Sequence, residues 1–188
     1  MDRDVSAGSN TTTLGYLLLG VTLLAFGLGN SDLIDGVTAA NAVDLATWAG
    51  GVALFVVGVL ELRAGSALTG AAFGATGALW FTWGSAAGTQ VDPNAAGLFL
   101  LLFALIALTL TLASNGAGLL TQAVYGLLFV GMLVLAIAQF ADNADLTKVG
   151  GYAAALSGLA AWYTATAAIA HLPTALPRRS AGREAAAA

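Results

Sequence analysis

Few side chains in this sequence are equipped for chemistry. Glu61 and Arg63 close the run Leu60-Glu61-Leu62-Arg63-Ala64-Gly65, and His171 is the single histidine. One histidine supports neither a Ser/His/Asp nucleophile set nor a His/Glu metal cluster. With no cysteine in the chain there are no thiolate metal sites, disulfides or Cys nucleophiles. Lys148, the only lysine, falls at the edge of an apolar run, away from where a buried Schiff base would sit. Inside the apolar runs the polar groups are neutral, among them Thr22, Thr76, Thr109, Gln122 and Ser157. Each either satisfies itself on its own helix or a neighbour, or shares an axis with others and lines a narrow path for a small polar solute. The inventory predicts passage rather than catalysis: no enzyme, no cofactor, no metal. Glu61 and Arg63 admit two readings. One is a helix end, with Arg63 on the negative pole of the dipole and Gly65 as the C′ glycine. The other is a titratable group at the cytoplasmic mouth of a path.

The elements that carry these groups are almost wholly apolar. Of 188 residues, 59% are hydrophobic and 9% charged, against about 25% charged in an ordinary soluble domain; mean hydropathy is +0.86. A net charge of −4 argues against nucleic acid as a partner. A helix needs roughly 20 apolar residues to cross the hydrocarbon core. The charges divide the chain into an all-α integral membrane protein of six transmembrane helices, near 14–28, 45–62, 67–87, 95–113, 119–140, and 147 or 149 to 171. The run from Asp92 to Asp142 carries no charge, and Ser114-Asn115-Gly116-Ala117-Gly118 is its natural break into two helices. A polar segment (1–13) precedes this domain (14–172), and a tail (173–188) follows it. A β-barrel is the rival architecture, and 98–112, LFLLLFALIALTLTL, argues against it because the run is apolar on every face.

Six spans put both termini on one side. Taken as cytoplasmic, that side holds Arg3, Arg63, Arg178, Arg179 and Arg183, with Lys148 alone opposite, as the positive-inside rule requires. The outer loops then carry Asp32, Asp35, Asp44, Asp92, Asp142 and Asp145. Gly50, Gly58, Gly70, Gly74 and Gly77 form small-residue faces on spans two and three, suited to close helix approach either within one subunit or between subunits.

Several blocks, in order, resemble the acetate uptake transporter family, also called GPR1/FUN34/YaaH. They are Asn10-Thr-Thr-Thr-Leu14-Gly15; Gly50-Gly51; Gly58-Val-Leu-Glu61-Leu-Arg63-Ala-Gly65-Ser66; Ala72-Phe73-Gly-Ala75-Thr76-Gly77-Ala-Leu-Trp80; and Val91-Asp92-Pro93-Asn94-Ala95. Gln122 and Ala136-Ile137-Ala138 also align. The resemblance covers Asn10 to His171. It implies a multi-pass plasma-membrane protein whose six-helix protomers form a homo-hexamer in the lipid bilayer, with one pore per protomer. It also implies passage of acetate and similar short monocarboxylates, linked to protons, by a channel or a symporter. The family's narrow constriction falls here on Leu19, Thr76 and Leu128, with Phe73 and Gln122 also on the path. The sequence departs from the family pattern at those points. Leu19 replaces a Phe, Thr76 replaces a Tyr, Thr11 and Thr13 replace prolines, Gly27 replaces a polar residue and Ala168 an acidic one. Two rivals stay open: a urea- or amide-type channel for small neutral solutes, and a non-transporting membrane scaffold.

Overall fold

The structure, a computed structural model, describes residues 7–86 and 91–172. Arg3, Arg178, Arg179 and Arg183, which carry most of the expected orientation, lie outside the described residues, as does the tail 173–188. Among the described residues the chain forms six helical rods and no strand. They are α1 (Ala7–Ser31), α2 (residues 39–63), α3 (Ala67–Ala86), α4 (Pro93–Ala113), α5 (Leu119–Ala141) and α6 (Ala144–Ala170). α2 is composite: α-helical Ala39–Ala46, a π-helical stretch Thr47–Ala53, then α-helical Leu54–Arg63. Four segments, Asn10–Ser31, α4, α5 and α6, are long and apolar enough to cross a membrane by length and composition.

Two expected boundaries shift. α1 begins within the segment expected to be a polar lead, because nothing between Ala7 and Leu14 breaks a helix. α2 begins at Ala39, so Asp44 lies within a helix and not in a loop. The other ends follow local chemistry. Asp92 Oδ1 accepts from the Asn94 amide at 2.8 Å with Pro93 in the first turn of α4, the arrangement that satisfies free N–H groups at a helix start. Asn143 Oδ1 accepts from Asp145 and Leu146 amides, both at 3.0 Å, and starts α6. The α4–α5 break falls where the glycines predict it, with Gly116 at φ +95° and Gly118 at φ +104°, backbone that L side chains rarely adopt.

The rods form a ring. α1 packs on α6, α6 on α5 and α5 on α4; in the other direction α1 packs on α2 and α2 on α3. α3 and α4, which close the ring, touch only thinly. Close approach at the tight crossings comes from glycine. A methyl group at Gly27 would sit 2.6 Å from the Gly151 carbonyl oxygen, joining α1 to α6; one at Gly58 would sit 2.7 Å from the Gly74 Cα, joining α2 to α3. Gly70 and Gly77 meet Leu62 and Phe55 of α2 in the same way, and Gly50 meets Thr22 and Trp80. All of these contacts are within one subunit.

Bulk is turned outward. On α4, Leu98, Leu102, Leu105 and Leu112 are exposed while Gly97, Ala104 and Ala107 face inward. Leucines repeating along an exposed face are what lipid or another apolar surface requires, since water-facing surfaces rarely carry a continuous apolar stripe.

Candidate functional site: a chain of cavities

The ends of α1, α3 and α5 and the starts of α2, α4 and α6 meet at one end of the bundle, where Lys148 Nζ lies 3.1 Å from Asp32 Oδ2. At this end a cavity of about 450 Å³ opens between α2, α3 and α4, lined by Val43, Thr82, Trp83, Ala95 and Phe99. At the opposite end a cavity of about 920 Å³ is lined by Thr12, Tyr16, Leu17, Ser66, Thr164 and His171. Between them, at the thin α3–α4 seam, lies a void of only about 10 Å³ bordered by Thr76, Leu79, Phe103, Leu110, Leu128 and Met132. That is close to the smallest space that holds one water.

The structure therefore places Thr76 and Leu128 on one void, from α3 and α5. The Thr76 hydroxyl donates to the Ala72 carbonyl at 2.5 Å. Thr22, Thr109, Thr111 and Thr164 bond their own helices in the same way. Ser157 reaches across to the Val124 carbonyl at 2.7 Å. These donors are occupied, which leaves hydroxyl lone pairs as the polar surface they offer. Leu19 is fully buried in the core. Gln122 sits in the first turn of α5 and is exposed, rather than buried in the middle of a span.

One turn toward the large cavity, a second layer closes the interior. Tyr16, Phe73 and Tyr125 each stand three residues before Leu19, Thr76 and Leu128, on the same three helices. The Tyr16 and Tyr125 hydroxyls are 3.1 Å apart. Phe73 meets Tyr16 edge-to-face, ring centroids 5.3 Å apart, and its ring occupies the space a methyl at Gly15 would take. Phe73 was expected on the path; Tyr16 and Tyr125 were not. The available signal was two tyrosines inside apolar runs, since a buried phenol seeks a partner.

Glu61 corrects the picture of a solvated mouth. It is fully buried. Its Oε2 accepts from the Thr12 hydroxyl at 2.9 Å and from the Thr69 hydroxyl, while Oε1 is buried with no partner. The backbone does end as a helix. The Ser66 amide donates to the Glu61 carbonyl at 2.9 Å and the Gly65 amide to Leu62 at 3.1 Å, with Gly65 at φ +84°, a Schellman closure. The side chain is buried nonetheless, because Cα–Cβ bonds tilt toward a helix's N-terminus and carry it back between α1 and α3. Arg63, two residues on, is exposed.

Residues 3–176 match the model of the GPR1/FUN34/yaaH family. Relatives include Ammonia transport outward protein 2 of Saccharomyces cerevisiae, 27% identical over 175 residues, covering 86% of this chain and 62% of the relative. A protein of Methanothermobacter thermautotrophicus is 27% identical over 176 residues, covering 86% of this chain and 85% of its own length. This chain thus spans about three fifths of the yeast relative. Among solved structures, the bacterial acetate channel SatP superposes with a TM-score of 0.79 at 24% identity, covering 89% of this chain and 97% of that one. At that identity the likeness speaks for the fold.

Proposed function

Because the chain belongs to the GPR1/FUN34/yaaH family, we propose that it is a multi-pass membrane transporter or channel for acetate and similar short monocarboxylates, which cross with a proton. In this reading all six rods span the plasma membrane, both termini are cytoplasmic, and the protomers assemble as a hexamer with one path each. The family and the solved acetate channel of the same fold support the substrate class. The observation that carries the mechanism is a cavity at each end of the bundle, with a small void at Thr76 and Leu128 at intermediate depth and the Tyr16, Phe73 and Tyr125 layer one turn from it.

Among the described residues no lysine or arginine lines this path. A bare carboxylate entering it gives up several kcal/mol of hydration with no cation to offset the loss. Protonation removes most of that cost. An acid with a pKa near 4.3 is about 6% neutral at pH 5.5 and about 0.06% at pH 7.5. Flux carried by the neutral acid therefore falls on the order of 100-fold between those pH values.

The test is labelled acetate uptake into liposomes at pH 5.5 and 7.5, against protein-free liposomes and a Thr76→Trp variant. Uptake above the empty liposomes, falling with pH and blocked by an indole in the central void, is expected. Protein-mediated uptake that is flat across the pH range refutes the protonated permeant. Competition by urea in place of acetate identifies a channel for neutral solutes.

A further inference from the structure

Two tyrosine hydroxyls that face each other in an apolar interior carry one proton more than their contact uses. Tyr16 Oη and Tyr125 Oη are 3.1 Å apart, and either can donate. Among the described residues neither donates to a backbone carbonyl, as the hydroxyls of Thr76 and Thr164 do. Glu61 Oε1, a buried acceptor with no partner, is out of reach of both. One O–H is therefore left over, and burial decides where it goes. Tyr125 has no exposed surface and lines none of the three cavities. Tyr16 is 5% exposed and lines the cavity of about 920 Å³. A buried donor without an acceptor is costly, so the stable arrangement has Tyr125 donating to Tyr16 and the Tyr16 O–H turned to the cavity. Both side chains lean that way, because Cα–Cβ bonds tilt toward a helix's N-terminus and α1 and α5 both start at the large-cavity end. Other polar groups on this cavity are placed differently. The Thr12 and Thr164 hydroxyls are committed to Glu61 and to the Ala160 carbonyl, and Asn10 and His171 are exposed. Thr121, in the first turn of α5, is the other hydroxyl near Tyr16.

From this geometry we infer that the Tyr16 hydroxyl is the docking donor for the permeating acid, with Tyr125 as the residue that aims it. The carbonyl oxygen of the acid accepts from Tyr16 Oη on the floor of the large cavity. The inference rests on the transport reading above and extends it by naming the atom that receives the substrate and the substrate group it receives. A phenol suits a path that no lysine or arginine lines. It carries no charge, so it enters the apolar interior without the desolvation cost of a cation. A hydrogen bond accepted from Tyr125 polarises Tyr16 and strengthens it as a donor. A single neutral bond also lets the solute leave again, which conduction requires. Because the docking oxygen belongs to the closing layer, the acid is held where that layer parts, one turn from the void at Thr76 and Leu128.

The experiment measures labelled acetate uptake into liposomes at pH 5.5 as a function of acetate concentration, less the uptake of protein-free liposomes. It compares the full chain with Tyr16→Phe, Tyr125→Phe, the double variant and Thr121→Val. Tyr16→Phe and Tyr125→Phe break the same hydroxyl contact, so loosening of the closing layer affects both alike. Only Tyr16→Phe removes the O–H that faces the cavity. The half-saturating concentration should rise roughly three- to tenfold in Tyr16→Phe and in the double variant, and stay near wild type in Tyr125→Phe and Thr121→Val. The double variant strands neither hydroxyl, so a rise there is not a folding defect. Equal half-saturation in Tyr16→Phe and Tyr125→Phe overturns the docking role. So does a Thr121→Val protein that matches Tyr16→Phe, which moves the donor to Thr121. Both results leave the transport reading standing. Wild-type uptake equal to that of empty liposomes overturns the transport reading and the docking role together.

Discussion

Replacing Tyr16 with Phe removes one oxygen from the closing layer and leaves the ring where it packs on Phe73. The Tyr125 hydroxyl then has no partner, in a residue with no exposed surface. An unsatisfied buried hydroxyl costs about 1–3 kcal/mol. The reverse change, Tyr125→Phe, is milder, because Tyr16 borders the large cavity; the loss is about that of one ordinary hydrogen bond, 0.5–1.5 kcal/mol. The double variant removes both hydroxyls and strands neither, so it should recover most of the Tyr16→Phe loss. For a chain of this length each kcal/mol moves Tm by about 2–4 °C. Thermal unfolding of the four proteins in one detergent reads the cycle. Wild type should be the most stable and Tyr16→Phe the least, with the double variant above Tyr16→Phe. A double variant whose loss equals the sum of the singles shows that the hydroxyls do not meet, and the closing layer as described is wrong.

Other perturbations follow from the packing and the caps. Gly27→Ala drives a methyl into the α6 backbone at Gly151 and Ala155, and overpacking of this kind costs about 1–3 kcal/mol, visible as a lower Tm. Gly74→Ala makes a useful contrast, since a methyl there meets nothing within 4 Å and Tm should hold. Asn143→Ala frees two amides at the start of α6 and should cost about 0.5–2 kcal/mol, with hydrogen exchange speeding at Asp145 and Leu146 before the rest of the helix.

Much of the fold was legible in the sequence because it follows from local chemistry. The charge-free run between Asp92 and Asp142 breaks at the predicted glycines because Gly116 and Gly118 alone tolerate the backbone needed there. The Asp92-Pro93 and Gly65 ends are equally local. Legibility ended where a side chain's surroundings depend on distant partners. Tyr16 and Tyr125 are 109 residues apart, and no pattern in either run says that they meet. Glu61 looked like a surface charge because it closes a helix beside an exposed arginine; only the threonines that reach it from α1 and α3 reveal a buried acid. The family positions Leu19 and Thr76 lack the rings of the family pattern, and sequence alone did not show that Tyr16, Phe73 and Tyr125 meet one turn along α1, α3 and α5.

The π-helical stretch in α2 has a consequence for how this chain can vary. It gives one rod two separately phased halves. Residues 39–46 present Val43 to the cavity at one end, and residues 54–63 present Glu61 to the interior at the other. Each residue of a regular helix turns the next by about 100°, and a π segment absorbs one surplus residue locally. Deleting a single residue between Thr47 and Ala53 would remove that surplus and restore a plain α-helix with both halves still in phase, so Val43 and Glu61 would keep their places. The same deletion between Leu54 and Leu60 would turn Glu61 by about that angle out of its place. The π segment is therefore the part of this rod that tolerates a change of one residue in length, and the α-helical halves on either side are the parts constrained by count.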